Sequence, residues 1–295
     1  MAQTQMALDS LDFDGTVALA TKVASHVDIL EIGTPCIKHN GIKLLETLRA
    51  KFPNNKILVD LKTMDAGYYE AEPFYKAGAD ICTVLGTADI GTIKGVIDVA
   101  NKYGKMAQVD LINVTDKKAR TLEVAKLGAH IIGVHTGLDQ QAAGQTPFVD
   151  LAMVTGLNTG AKVSVAGGVK AATVRQVVDA GADIVVAGAA IYGAADPAAA
   201  AKEITSLAHT APAAAGGNKW LPWVLAIVAA VIVISLFGGK KEEAPVEAAP
   251  AAVEEAAPAA EAAPAAEAAP AEEAAAEAAG DLVEAAKEAA PTPAQ

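Results

Sequence analysis

The segment Asp60-Leu61-Lys62-Thr63-Met64-Asp65 places three charged side chains within six residues, directly after the aliphatic run Lys56-Ile57-Leu58-Val59. A short β-branched and aliphatic run of this kind predicts a buried strand, so the charges emerge where that strand ends. Residues two apart on an extended segment share a face, which puts Asp60 and Lys62 on one side and Asp65 on the turn beyond. Two chemistries fit. A solvated strand end would carry an ordinary exposed ion pair, which contributes little. An acid–amine array would instead hold a metal ion on its carboxylates and steady an anionic intermediate with its ammonium. What else the fold brings to the same place decides between them.

From Gln5 to His209, apolar strand-like runs alternate with amphipathic helical stretches. The candidate strands are Met6–Asp9, Ile29–Gly33, Ile57–Leu61, Ile81–Leu85, Ala107–Leu111, Ile131–His135, Val163–Ala166 and Ile184–Ala187. Strands each followed by a helical pattern favour an α/β fold, a (β/α)8 TIM barrel over residues 1–210; a doubly wound open sheet is the alternative. Gly78-Ala79-Asp80, Gly128-Ala129-His130 and Gly181-Ala182-Asp183 recur 50 and 53 residues apart. Each would close a helix on a left-handed glycine and lead into a strand.

Chemistry in such a barrel gathers at the carboxyl ends of the strands. Those ends read Asp9, Glu31, Asp60 with Lys62, Leu85-Gly86, Asp110, His135, Gly167-Gly168 and Gly188-Ala189. Ionisable side chains avoid buried strand ends unless they are paired or used, so this concentration favours the acid–amine array. Gly167, Gly168, Gly188 and Ala189 follow the last two strands, where barrels commonly bind phosphate on bare N–H groups and a helix start. Tight strand-to-helix turns are the plainer account of those small residues. His135 stands at a strand end above the array, whereas His26, His39, His130 and His209 have no such placement and read as structural or exposed.

Residues 1–210 carry 19 Lys and Arg against 22 Asp and Glu. A body so near neutrality gives no basis for nucleic-acid binding. Cys36 and Cys82 lack metal-ligand spacing and read as buried thiols of a reducing compartment. The start, Met1 to Leu8, has neither a basic region nor a long apolar run, so no signal peptide is expected.

Asp28-Ile29-Leu30-Glu31-Ile32-Gly33-Thr34-Pro35, Asp60-Leu61-Lys62-Thr63-Met64-Asp65-Ala66-Gly67, Ser164-Val165-Ala166-Gly167-Gly168-Val169-Lys170 and Ile191-Tyr192-Gly193-Ala194-Ala195-Asp196-Pro197 together resemble the 3-hexulose-6-phosphate synthase family. That family lies within the orotidine-monophosphate-decarboxylase superfamily, and the resemblance covers Gln5 to Ala208. It implies Mg2+-dependent joining of formaldehyde to D-ribulose 5-phosphate, giving D-arabino-3-hexulose 6-phosphate. By the same resemblance Glu31 and Asp60 would hold the metal, Lys62 would stabilise the enediolate and Asp9 would bind substrate hydroxyls. His135 would move the proton, and Gly167, Gly168, Gly188 and Ala189 would cradle the phosphate. Asp65 would reach into the active site of a partner subunit, because the family builds its sites across a homodimer interface.

The residues agree with that chemistry. A proton removed beside a carbonyl leaves charge on two neighbouring oxygens, which a hard cation and an ammonium can share. Imidazole suits the proton step because its unperturbed pKa lies near neutrality. In the similar 3-keto-L-gulonate-6-phosphate decarboxylases an arginine stands three positions after the histidine and takes part in protonation. Leu138 occupies that position here and favours the aldol reaction. Ala166 lacks the hydroxyl that some relatives carry before the two glycines. The sister decarboxylase and a non-catalytic barrel are the remaining readings.

Beyond the barrel, residues 211–218 read as a flexible linker. Trp220 to Gly239 is a run of 20 residues without a charge. Such a run spans a bilayer core of roughly 30 Å. Trp220, Trp223, Lys219 and Lys240-Lys241 flank it as at a membrane interface, so residues 219–239 are expected to form a single transmembrane helix. A buried core helix or an association helix is the other option. Lysine counts slightly favour the carboxyl side inside, but a sugar-phosphate enzyme needs the cytoplasm, and an anchored cytoplasmic barrel is the expectation. Residues 240–295, rich in Glu, Ala and Pro, read as a disordered acidic tail.

Overall fold

The structure, a computed structural model, describes residues 1–210. The linker, the apolar run at 219–239 and the acidic tail lie outside the described residues. Among the described residues no helix is long and apolar enough to cross a membrane.

Eight parallel strands form a closed barrel in sequence order: β1 (Gln3–Leu8), β2 (Ile29–Ile32), β3 (Lys56–Thr63), β4 (Ile81–Leu85), β5 (Met106–Asp110), β6 (Ile131–His135), β7 (Lys162–Ala166) and β8 (Ile184–Ala187). Closure is explicit: Gln3, Thr4, Gln5 and Met6 of β1 pair with Ile184, Val185, Val186 and Ala187 of β8. That pairing removes the open-sheet alternative.

Around the barrel run α1 (Phe13–Val23), α2 (Thr34–Lys51), α3 (Gly67–Lys76), α4 (Ile90–Lys102), α5 (Lys117–Lys126), α6 (Leu138–Ala142), α7 (Phe148–Gly156), α8 (Ala171–Asp179), α9 (Ala189–Tyr192) and α10 (Pro197–His209). Gly78, Gly128 and Gly181 have φ of 108°, 91° and 94°, so the recurrent glycines do end helices in the left-handed region.

Alternation decides where each side chain goes. Outward positions such as Leu30, Ile32, Val59, Val84, Val109 and Val165 pack with the helices in the main core. Inward positions build the barrel's own interior in layers of four drawn from alternate strands. Above Gln3, Lys56, Met106 and Lys162 at the amino end, Ile29, Ile81, Ile131 and Ile184 form a layer in which all are at most 1% exposed. Gln5, Leu58, Gln108 and Ser164 come next by register. Above them stand Glu31, Thr83, Gly133 and Val186, then Ala7, Asp60, Asp110 and Ala166. Above the isoleucine layer polarity therefore rises along the axis to the charged rim.

One strand departs from regular geometry. β3 continues to Thr63, two residues beyond the expected end, and its register against β4 shifts between Val59 and Thr63. Lys62 sits in this irregularity with φ of 47°. Non-glycine residues adopt that region only when their surroundings impose it, and such positions gather at functional sites.

Candidate active site

The strands deliver the charged residues to one mouth. Asp9, Glu31, Asp60, Lys62, His135, Gly167, Gly168, Gly188 and Ala189 all line a cavity of about 1140 Å3 at the carboxyl rim. Asp65 does not. It is exposed on the turn after β3, where Oδ1 accepts the Ala66 N–H at 2.7 Å. From that position it could act only on a site outside this cavity.

Asp60 is the hub. Its Oδ2 accepts Lys62 Nζ at 2.5 Å and lies 2.6 Å from the Thr34 hydroxyl, while Oδ1 accepts the Thr83 hydroxyl at 2.7 Å. Lys62 Nζ also reaches Asp110 Oδ2 at 3.3 Å. The same oxygen accepts His135 Nδ1 at 2.8 Å, and Asp110 Oδ1 accepts the Ile112 N–H at 2.9 Å. A continuous line thus runs His135–Asp110–Lys62–Asp60. Because Asp110 accepts the hydrogen bond of the Nδ1–H, Nε2 is the imidazole nitrogen left for a substrate. The hydroxyls of Thr34 and Thr83 were not expected from the chain alone. Asp110 was visible as an acidic strand end, but its partner lies 25 residues away.

Electrostatics follow from burial and neighbours. Burial works against the Lys62 ammonium, yet the carboxylates of Asp60 and Asp110 outweigh it and raise its pKa. Burial also opposes imidazolium at His135, and the hydrogen bond and charge of Asp110 reverse that effect and raise it. Asp110 itself is driven up by burial but held below its usual range by His135 and Lys62. Burial, then the Asp60 charge, pushes Glu31 from 4.5 to about 8; the same two causes raise Asp9.

Burial and crowding thus hold Glu31 and Asp9 above the usual carboxylate range, and a cation between the carboxyls would favour their ionised forms. A hard cation fits such a donor set. Among the described residues no group of three His, Cys, Asp or Glu converges to hold a metal unaided. Glu31 and Asp60 both line the cavity, and Mg2+ is usually held by one or two carboxylates with water and substrate oxygens. Glu31 Oε2 is oriented from below by Gln5 Nε2 at 2.7 Å.

The glycine end of the cavity is built from backbone. Gly167 and Gly168 have φ of 113° and 70°. A Cβ on Gly167 would lie 2.5 Å from the Thr136 carbonyl oxygen, so no other residue fits. A Cβ on Gly33 would collide with Asp9 Oδ1 at 2.1 Å, which keeps the Asp9 carboxylate against the β2 end. α8 begins at Ala171 beside the cavity, as α9 does at Ala189. Of the histidines set aside, His130 accepts the Ala107 N–H on Nδ1 at 3.2 Å and His209 meets Asp28 at 3.0 Å, both away from the mouth.

Fold and site together define a (β/α)8 barrel with an acid–amine array at its carboxyl rim. Residues 2–204 match the orotidine 5'-phosphate decarboxylase / HUMPS family. A 3-hexulose-6-phosphate synthase of Methylomonas aminofaciens is 88% identical over 208 residues, 70% of this chain and 100% of that protein. The crystal structure of 3-hexulose-6-phosphate synthase from Salmonella typhimurium is 39% identical with a TM-score of 0.68, covering 70% of this chain and 98% of that one. That of 3-keto-L-gulonate-6-phosphate decarboxylase from Vibrio cholerae is 28% identical with a TM-score of 0.63, covering 70% and 97%. The chain belongs to the orotidine 5'-phosphate decarboxylase / HUMPS family and, within it, to the 3-hexulose-6-phosphate synthases.

Proposed function

We propose that the chain joins formaldehyde to D-ribulose 5-phosphate by aldol addition, giving D-arabino-3-hexulose 6-phosphate. The observation that carries this reading is the hydrogen-bonded line His135–Asp110–Lys62–Asp60 at the head of a cavity that ends in the glycine cradle. It joins a proton carrier to a fixed cation on one wall. His135 Nε2 takes the C1 proton of the bound sugar phosphate, and the electron pair spreads over C1, C2 and their oxygens as an enediolate. Lys62 faces the developing charge without itself losing a proton, since two carboxylates keep it ammonium. C1 then attacks the formaldehyde carbon, one carbon–carbon bond forms, and the new alkoxide takes up a proton. Glu31 and Asp60 would hold Mg2+, which supplies a hard Lewis acid for the enediolate oxygens. Asp9 would bind substrate hydroxyls, and Gly167, Gly168, Gly188 and Ala189 would receive the phosphate.

A homodimer supports Asp65 in the same reaction. Met64 and Tyr69 beside it are 54% and 83% exposed, a surface suited to a second copy. Asp65 of one subunit would then serve its neighbour's cavity. The anchor at residues 219–239 rests on the apolar run alone, and would hold a cytoplasmic barrel at the membrane. Alkaline and high-salt washing of membranes tests it, since complete release of the chain would rule the anchor out.

The decisive assay measures formaldehyde consumption with ribulose 5-phosphate and Mg2+, beside Lys62→Ala. Consumption requiring both Mg2+ and Lys62 is expected. A folded protein that consumes no formaldehyde but decarboxylates 3-keto-L-gulonate 6-phosphate would overturn the proposal, despite Leu138 lining the cavity in place of an arginine.

A further inference from the structure

We propose that Thr83 is a positioning residue for the Asp60–Lys62 couple, its hydroxyl holding β3 in the shape the reaction needs. In catalytic terms this rests on the aldol reading above; in geometric terms it stands alone.

Val59 pairs with Cys82, and the next register pair is Thr63 with Val84. Residues 60–62 therefore all stand opposite Thr83. Such a bulge takes residues out of the ladder and leaves backbone groups seeking other partners. The Lys62 N–H finds one in the Thr83 hydroxyl oxygen at 2.9 Å. That hydroxyl donates in turn to Asp60 Oδ1 at 2.7 Å. A hydroxyl has one proton, and an amide donor already occupies its oxygen, so the proton can serve only the carboxylate. The direction of the relay is fixed: Lys62 N–H to Thr83 Oγ1–H to Asp60 Oδ1.

One side chain thereby does two jobs. It replaces the ladder hydrogen bond that the bulge removes, which keeps Lys62 in its left-handed conformation with φ of 47°. It also fixes the plane of the Asp60 carboxylate, whose other oxygen meets Lys62 Nζ. Thr83 is 1% exposed and does not line the cavity, so it acts only through these neighbours. Its β-branch restricts χ1 and holds the hydroxyl in place. Valine copies the shape and offers neither donor nor acceptor.

The test uses the full chain with Thr83→Val and Thr83→Ser. The valine variant should lose about 10- to 100-fold in kcat, as expected for a lost hydrogen bond to a charged group, with KM for ribulose 5-phosphate within about threefold. It should also need more Mg2+ for half-activation. The serine variant should return to within about threefold of the native kcat, a level that separates hydroxyl from packing loss. Amide exchange without metal gives a second readout: Lys62 N–H should exchange about tenfold or more faster in the valine variant, while Val59 and Val84 keep their protection. Native kcat in the valine variant, equal loss in valine and serine variants, or unchanged Lys62 exchange would each overturn the proposal. If the valine variant does not fold, Thr83→Cys, with only a weak S–H, takes its place under the same criteria. A native chain without aldol activity would refute the functional reading, and the exchange comparison would still decide the role of Thr83.

Discussion

Asp110→Asn separates two acceptor duties that only a carboxylate can perform together. Asp110 Oδ1 accepts the Ile112 N–H at 2.9 Å, and Oδ2 accepts His135 Nδ1 at 2.8 Å and Lys62 Nζ at 3.3 Å. Asparagine offers one acceptor oxygen and one NH2. Whichever way its amide turns, a donor meets a donor, either at Ile112 or at the imidazole and ammonium. A hydrogen bond to a charged group contributes about 1.5–3 kcal/mol, and 1.36 kcal/mol is tenfold in rate, so kcat should fall by roughly 10- to 150-fold. The pH profile should also move. Asp110 raises the His135 pKa against burial; without its charge burial prevails and lowers it. The limb of kcat/KM that reports His135 therefore shifts to lower pH. Formaldehyde consumption measured across pH, with circular dichroism to verify folding, reads both effects. A folded variant with native kcat and an unmoved limb would refute the claim that Asp110 sets the imidazole.

Glu31 gives a stability prediction. Its folded pKa is raised from 4.5 to about 8, so the metal-free folded chain keeps a proton that the unfolded chain releases. That contribution is full below the unfolded pKa and is lost as pH rises through the interval up to about 8. Calorimetry in a chelator should show Glu31→Gln gaining in Tm over the native chain as pH rises through this interval, and a constant difference would contradict the burial argument. Gly167→Ala meets both a φ of 113° and a Cβ contact of 2.5 Å with the Thr136 carbonyl oxygen. Its KM for ribulose 5-phosphate should rise by about tenfold or more from a displaced cradle, and an unchanged KM would remove Gly167 from phosphate binding.

The barrel was legible because each strand is an apolar run and each helix has its own period. Closure was favoured by the strand–helix repetition, but periodicity alone left the open sheet as an alternative, which only the β1–β8 pairing removes. Asp60 and Lys62 were expected together from simple alternation. They do meet, but across a bulge with a left-handed lysine, which no propensity at Lys62 announces. Glu31, His135 and the paired glycines were visible because charge and missing side chains are conspicuous at strand ends. Thr34, Thr83 and Gln5 were not, because a polar residue alternating into a strand looks the same whether it orients a carboxylate or merely fills a layer. Asp65 was placed on its turn correctly; that it stands outside its own cavity is a fact of three dimensions.

The isoleucine layer has a kinetic meaning. Ile29, Ile81, Ile131 and Ile184 pack across the barrel beneath the charged rim and give the cavity above them an apolar floor. A sugar phosphate seated on the glycines would narrow the mouth above that floor, whereas a one-carbon aldehyde would still pass. Sugar phosphate before aldehyde is therefore the expected binding order, and product-inhibition patterns against each reactant check it.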